Sequence, residues 1–132
     1  MSNIIRVTPF MIVPDLEAAL TFFVDILGFT LWFKSPGYAY VQRETAAFRL
    51  LEQKDFDASY KARYAYYIDV EDVDALYAEL QSKLATLPDH NHHAPTTKPY
   101  GQREMLICAP DGNLLVFGQT IFHDPNGVLK QD

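Results

Sequence analysis

From Ile4 to Val13 the chain is apolar and β-branched and stops at Pro14, a pattern that predicts a strand whose exit is fixed by the proline. Asp15 is placed to cap a helix, and Leu16, Ala19, Leu20, Phe23, Ile26 and Leu27 recur at helical spacing, so a helix is predicted over 16–27 with one apolar face. Gly28 closes it, because a helix commonly ends on a residue in the left-handed region. Three short apolar and aromatic runs follow: FTLWFK (29–34), YAYVQR (38–43) and AAFRLLE (46–52). They are separated by Ser35-Pro36-Gly37 and Glu44-Thr45, and predict a three-strand meander.

After the polar stretch QKDFDASYKA the same order restarts. A strand over 63–70 leads to Asp72 as the next N-cap and to a helix with Val73, Leu76, Tyr77, Leu80 and Leu84 on one face. Val13 to Ala18 aligns with Val70 to Ala75 at an offset of 57 residues, with Val, Asp and Ala identical. Then come a polar segment, LPDHNHHAPTTKPYG, read as a long loop, the strand REMLICA, a turn at Pro110-Asp111-Gly112-Asn113 and the strand LLVFGQ. The expected class is α+β, a βαβββ order written twice. One domain is expected over residues 1–132, with a first module over 4–53, a linker over 54–62, a second module over 63–122 and a tail over 123–132.

Composition narrows the function. Hydrophobic residues make up 48% of the 132 positions and charged residues 21%, with a mean hydropathy of −0.10, as in a soluble globular domain. Eleven Lys and Arg against seventeen Asp and Glu give a net charge of −6, which repels nucleic acid and anionic membranes and suits a neutral or cationic small ligand. Cys108 is the sole cysteine, so no intramolecular disulfide forms. With no signal-peptide pattern at the start, a cytoplasmic location is expected. Walker, GxGxxG and GxSxG patterns are absent, which disfavours nucleotide binding and serine hydrolysis.

PDLEAALTFFVDILGF in the first module and YGQREMLICAPDGNLLVFGQ in the second resemble the glyoxalase/bleomycin resistance/dioxygenase superfamily over about residues 4 to 122. The resemblance implies curved mixed sheets around a cavity and a homodimer. It covers metal isomerases, ring-cleaving dioxygenases, thiol transferases and metal-free drug-binding proteins. The metal-dependent members carry His or Glu on the first and last strand of each module. Here those positions fall at Thr8, at Ala65 or Tyr66, at Val116, and on AAFRLLE with Arg49 in the favoured register and Glu52 the carboxylate nearby. On this basis no metal and no other cofactor is expected. His90, His92 and His93 are read as a solvated loop, and His123 is given no role.

Candidate ligand-binding residues are those with aromatic or charged side chains on cavity strands: Trp32, Tyr38, Tyr40, Phe48, Arg49, Tyr66 and Arg103, together with Val116. Within YAYVQR, alternation puts Tyr38, Tyr40 and Gln42 on one face. Arg103 and Glu104 are consecutive in a strand and must point to opposite faces, leaving open which one enters the cavity. Phe22, Phe23 and Phe29 are read as packing residues and Asp111 as a turn residue. The expected function is metal-free sequestration of a cationic, aromatic drug or metabolite, similar to the bleomycin resistance proteins, with no catalytic residue. A metal-dependent lyase, isomerase or dioxygenase of the same fold is the alternative, and a dimeric interaction module the third reading.

Overall fold

The computed structural model describes residues 2–56, 64–88 and 91–121. The expected linker largely, His90 and the expected tail over 123–132 fall outside the described residues. The chain divides into two compact units, Met1–Ala58 and Ser59–Asp132.

The first unit contains β1 (Phe10–Val13), α1 (Leu16–Leu20), β2 (Thr30–Ser35), β3 (Tyr38–Arg43) and β4 (Ala46–Glu52) in the sheet order β1-β4-β3-β2. The second contains β5 (Ala65–Asp69), α2 (Val73–Leu84), β6 (His92–Thr97), β7 (Gln102–Cys108) and β8 (Leu114–Thr120) in the order β5-β8-β7-β6. In each sheet the first strand pairs parallel to the last and the remaining pairs are antiparallel. Two four-stranded mixed sheets, each built from one βαβββ module, make the α+β fold anticipated from the repeat.

Each helix starts as its sequence dictates. Asp15 and Asp72, both extended, accept hydrogen bonds from the amides of Ala18 at 3.2 Å and Ala75 at 3.0 Å, satisfying donors that a helix's first turn leaves free. A second acceptor comes from the last strand of the same sheet. The Leu16 amide donates to Glu52 Oε2 at 2.8 Å, and the Val73 amide donates to Gln119 Oε1 at 2.9 Å. First-turn acids also pair with bases on their own sheet, Glu17 with Lys34 and Asp74 with Arg103.

The helix-facing side of each sheet is the core. In the first unit Met11, Val13, Phe22, Phe23, Leu27, Val41 and Leu50 are buried, and Phe23 packs edge-on against Phe29 with centroids 5.1 Å apart. In the second unit Val73, Leu80, Leu84, Met105, Ile107, Leu115 and Phe117 fill the same role.

Three expectations needed correction. The first strand is shorter than Ile4 to Val13: Ile4, Ile5 and Val7 precede β1 and are 86 to 89% exposed. The helix over 16–27 is regular only to Leu20. It continues as a π-helical segment, Thr21–Ile26, whose wider turns let Leu27 donate to the Phe22 carbonyl and turn both Phe22 and Phe23 into the core. The segment read as a loop contains β6. Its polar, proline-bearing sequence HHAPTT carries no apolar alternation, and it is a strand because β7 supplies its partners, with the register breaking between His93 and Thr96 around Pro95. His92 and His93 therefore belong to an edge strand. No helix among the described residues is long and apolar enough to cross a membrane.

Phe23→Ala is expected to cost about 3 to 5 kcal/mol, the range for emptying a buried aromatic site. Asp72→Ala should cost about 1 kcal/mol, the worth of an N-cap. Urea unfolding measures both, and equal losses would contradict the assignment of one to the core and the other to an exposed cap.

Candidate functional site

Because alternate residues of a strand face opposite ways, the side chains that contact each helix determine which side chains lie on the other, open face. In the first sheet Phe48, Leu50 and Glu52 face α1, so Ala47, Arg49 and Leu51 face away. Pairing then aligns Phe10 of β1, Arg49 of β4, Tyr40 of β3 and Phe33 of β2 in one row across the open face. The next row carries Ile12, Leu51, Tyr38 and Ser35.

Arg49 ties these rows together. Its Nη1 donates to the Tyr38 hydroxyl at 2.6 Å, and its guanidinium carbon lies 5.0 Å from the centroid of the Tyr40 ring, within cation–π range. The Tyr40 hydroxyl points to Gln42 Oε1 at 3.4 Å, and Phe33 lies 6.1 Å from Tyr38, ring to ring. Trp32 is the extra residue of a β-bulge between Leu31 and Phe33, and is 67% exposed beside this face. The result is an exposed aromatic surface with a planar cation already fixed on it, able to stack flat rings and to donate hydrogen bonds.

The open face of the second sheet follows the same parity. Tyr67, Val116, Leu106 and His93 form one row, and Asp69, Gly118, Glu104 and Thr96 the next. Phe10 and Arg49 of the first sheet correspond by strand and row to Tyr67 and Val116 of the second, and two residues earlier Thr8 corresponds to Ala65. By this correspondence the counterpart of Thr8 is Ala65, one residue before Tyr66. The four positions where the family resemblance implies metal ligands hold a hydroxyl, a methyl, a guanidinium and an isopropyl group, side chains ill-suited to a divalent ion. Glu52 lies on the helix-facing side, accepting from the Leu16 amide. Among the described residues no three His, Cys, Asp or Glu side chains converge as a metal-holding group.

Of the eight residues expected to line the site, the structure gathers Tyr38, Tyr40 and Arg49 in direct contact, sets Trp32 beside them, and puts Val116 on the open face of its own sheet. It places the other three elsewhere. Phe48 is 3% exposed and packs on Phe23 and Phe29. Arg103 faces α2, where its Nε and Nη2 bond both carboxylate oxygens of Asp74 at 2.9 Å; this pairing holds the Asp74 carboxyl below its usual range. Tyr66 shares the parity of buried Leu115 and faces the helix side, where burial, followed by the charge of Asp111, raises its hydroxyl pKa. Phe33 and Tyr67 were not anticipated. The available signal was parity: Phe48 and Arg49 are adjacent and cannot share a face, and Ile68 on the core side assigns Tyr66 to its own face and Tyr67 to the other.

Asp111 does serve its turn. Its Oδ1 accepts from the Asn113 backbone amide at 3.0 Å and from Asn113 Nδ2 at 2.9 Å. It is 6% exposed, and burial raises its carboxyl pKa, opposed by the Asn113 bonds.

A sequence model described as the Glyoxalase/Bleomycin resistance protein/Dioxygenase superfamily matches residues 4–129. The fold is similar to that of the bleomycin-binding protein of Streptomyces verticillus in its complex with copper(II)-bleomycin. The two are 25% identical, with a TM-score of 0.73 over 89% of this chain and 97% of that one. TnmS3, an antibiotic-binding protein from Streptomyces sp. CB03234, is 26% identical with a TM-score of 0.64, over 90% of this chain and 99% of that one. Lactoylglutathione lyase from Agrobacterium tumefaciens shares the fold at 18% identity and a TM-score of 0.62, over 86% of this chain and 92% of that one. No protein of curated function matches the chain.

Asp111→Asn keeps the oxygen that Asn113 bonds and removes the buried charge. An acid whose folded pKa is raised binds more protons folded than unfolded, so its contribution to stability falls as pH rises from the unfolded carboxyl value through the folded one. The variant is therefore expected to be more stable than the wild type at pH 7 and to lose part of the decline just above pH 4. Urea titrations at a series of pH values check this, and a variant less stable at pH 7 would contradict it.

Proposed function

Since the chain belongs to the glyoxalase/bleomycin resistance protein/dioxygenase superfamily, we propose that it is a small-molecule binding protein that sequesters a drug or metabolite on an aromatic open sheet face without using a metal ion. The observation that carries this reading is the contact of Arg49 with Tyr38 and Tyr40, flanked by exposed Phe33 and Trp32. Aromatic side chains with a few fixed polar groups are the lining that sites for drug-sized ligands use. Tyr38 is held as an acceptor by a charged donor, and Tyr40 is braced by the guanidinium at its ring. Both rings are thereby ordered before a ligand arrives, which lowers the entropy cost of binding.

Two relatives of similar fold, at 25% and 26% identity, bind bleomycin and an antibiotic by their descriptions. Bleomycin-type drugs are cationic glycopeptides with flat heteroaromatic rings, suited to stacking and to a protein of net charge −6. The lyase relative favours an enzyme reading. Against it stand Thr8, Ala65, Arg49 and Val116, which supply no set of nitrogen and carboxylate ligands. The protein acts in the cytoplasm as a homodimer, in which a second copy covers Ile4, Ile5 and Val7; light scattering reads the mass directly.

Titration of EDTA-treated protein with metal-free bleomycin, followed by Trp32 fluorescence, is expected to give a saturable change. Arg49→Ala should weaken binding about tenfold, roughly the worth of one charge-assisted bond with its stacking. Arg103→Ala should leave binding unchanged, its side chain being committed to Asp74. A protein that ignores the drug and releases a tightly held divalent ion to the chelator would overturn the reading in favour of a metal-dependent enzyme.

A further inference from the structure

The second sheet's open face carries a polar arrangement that differs from the Arg49 cluster. Glu104 is 6% exposed and is opposite Gly118 in the antiparallel pair, while Gly118 is opposite Asp69 in the parallel pair. The row across the face thus reads acid, glycine, acid, with neighbouring strands about 4.8 Å apart. A side chain at 118 has no room: a Cβ there would lie 1.8 Å from the Tyr67 hydroxyl oxygen, so the Tyr67 ring rests across bare backbone between the two carboxylates.

Two phenols converge on Glu104. The Tyr100 hydroxyl donates to its Oε1 at 2.7 Å, and the Tyr67 hydroxyl, which donates to Gln102 Oε1 at 3.0 Å, stands near enough for the carboxylate to raise its pKa. Gln102 is itself held by Thr120, to whose Oγ1 its Nε2 donates at 2.9 Å. Both rings remain accessible, Tyr67 at 46% and Tyr100 at 58%. Among the described residues no Lys or Arg pairs with Glu104: Arg103 is on the other face with Asp74, Lys34 pairs with Glu17, and Arg43 with Glu44.

A sheltered carboxylate without a protein cation among the described residues, accepting from the Tyr100 hydroxyl beside the electron-rich ring of Tyr67, forms a surface of negative potential with aromatic walls. Burial and the neighbouring carboxylates push the Tyr67 hydroxyl well above its usual range, as expected where a second negative charge is resisted. We propose that this face is a cation subsite, at which the exposed rings of Tyr67 and Tyr100 hold an organic ammonium group over Glu104. The inference rests on the binding reading above and assigns the ligand's positive charge to a named set of residues on the second sheet. The rings supply cation–π attraction, and the carboxylate, poorly screened because it is buried, supplies the long-range term. Asp69 on the far side of Gly118 adds to the same field.

The test is an amide-resolved NMR titration with phenethylammonium chloride and with phenethyl alcohol, its neutral counterpart. The ammonium ion is expected to shift the Gly118 and Glu104 amides saturably, about tenfold more tightly than the alcohol. Glu104→Gln keeps an acceptor for the Tyr100 hydroxyl and removes the charge. It should erase that preference while leaving the rest of the amide spectrum and the melting temperature unchanged. Equal affinity for the two probes, shifts away from Gly118, or a preference that survives in Glu104→Gln would overturn the proposal. Bleomycin binding without an ammonium response at Gly118 would remove the subsite and leave the binding function. An ammonium response without bleomycin binding would keep the subsite and replace bleomycin as the ligand.

Discussion

Everything on the open faces depends on one contact made twice: the first amide of a helix donating to a side-chain oxygen at the end of the last strand of its own sheet. Leu16 finds Glu52 and Val73 finds Gln119, at 2.8 and 2.9 Å. That contact assigns the last strand's even or odd positions to the helix side, and the strand's period of two does the rest. With Glu52 turned to the helix, Phe48 and Leu50 must be core and Arg49 must face away. With Gln119 turned to the helix, Phe117 and Leu115 are core, and Val116 and Gly118 face away. A shift of one residue would bury the guanidinium and expose the phenylalanine.

The same logic explains what could be read from the chain before folding. Both N-caps, both helices, the meander and the repeat at an offset of 57 were legible because capping aspartates and apolar periodicity are local signals. That Tyr38 and Tyr40 share a face was legible because β3 alternates along its length. The strand at His92–Thr97 was not, because its reason for being extended is β7, a partner ten residues on, and its own sequence holds a proline and no alternation. The wider turns of Thr21–Ile26 were hidden for a related reason. A π-helical segment answers to packing of Phe22 and Phe23 rather than to any propensity that a window of sequence reports. The expectations for Phe48, Tyr66 and Arg103 erred through parity alone: aromatic or charged character placed them in a candidate site, and the face each occupies removed them.

The two modules share a fold and differ in the chemistry they display. Where the first presents Arg49 in the row of Phe10, Tyr40 and Phe33, the second presents Val116 in the row of Tyr67, Leu106 and His93, with Glu104 and Asp69 in the row beside it. One open face is aromatic with a fixed cation, the other aromatic with carboxylates. Neither offers the imidazole and carboxylate ligands at equivalent strand positions that a catalytic divalent ion requires. The proposed function rests on recognition: flat rings by stacking, acceptors by the guanidinium of Arg49, and positive charge by Glu104.

The most direct measurement is a crystal structure of the EDTA-treated protein grown with metal-free bleomycin. The account predicts a heteroaromatic ring of the drug against Tyr40 or Phe33 and no ion coordinated by Thr8, Ala65, Arg49 or Val116. A divalent ion held by protein side chains at the drug, or a drug seated away from both open faces, would contradict it.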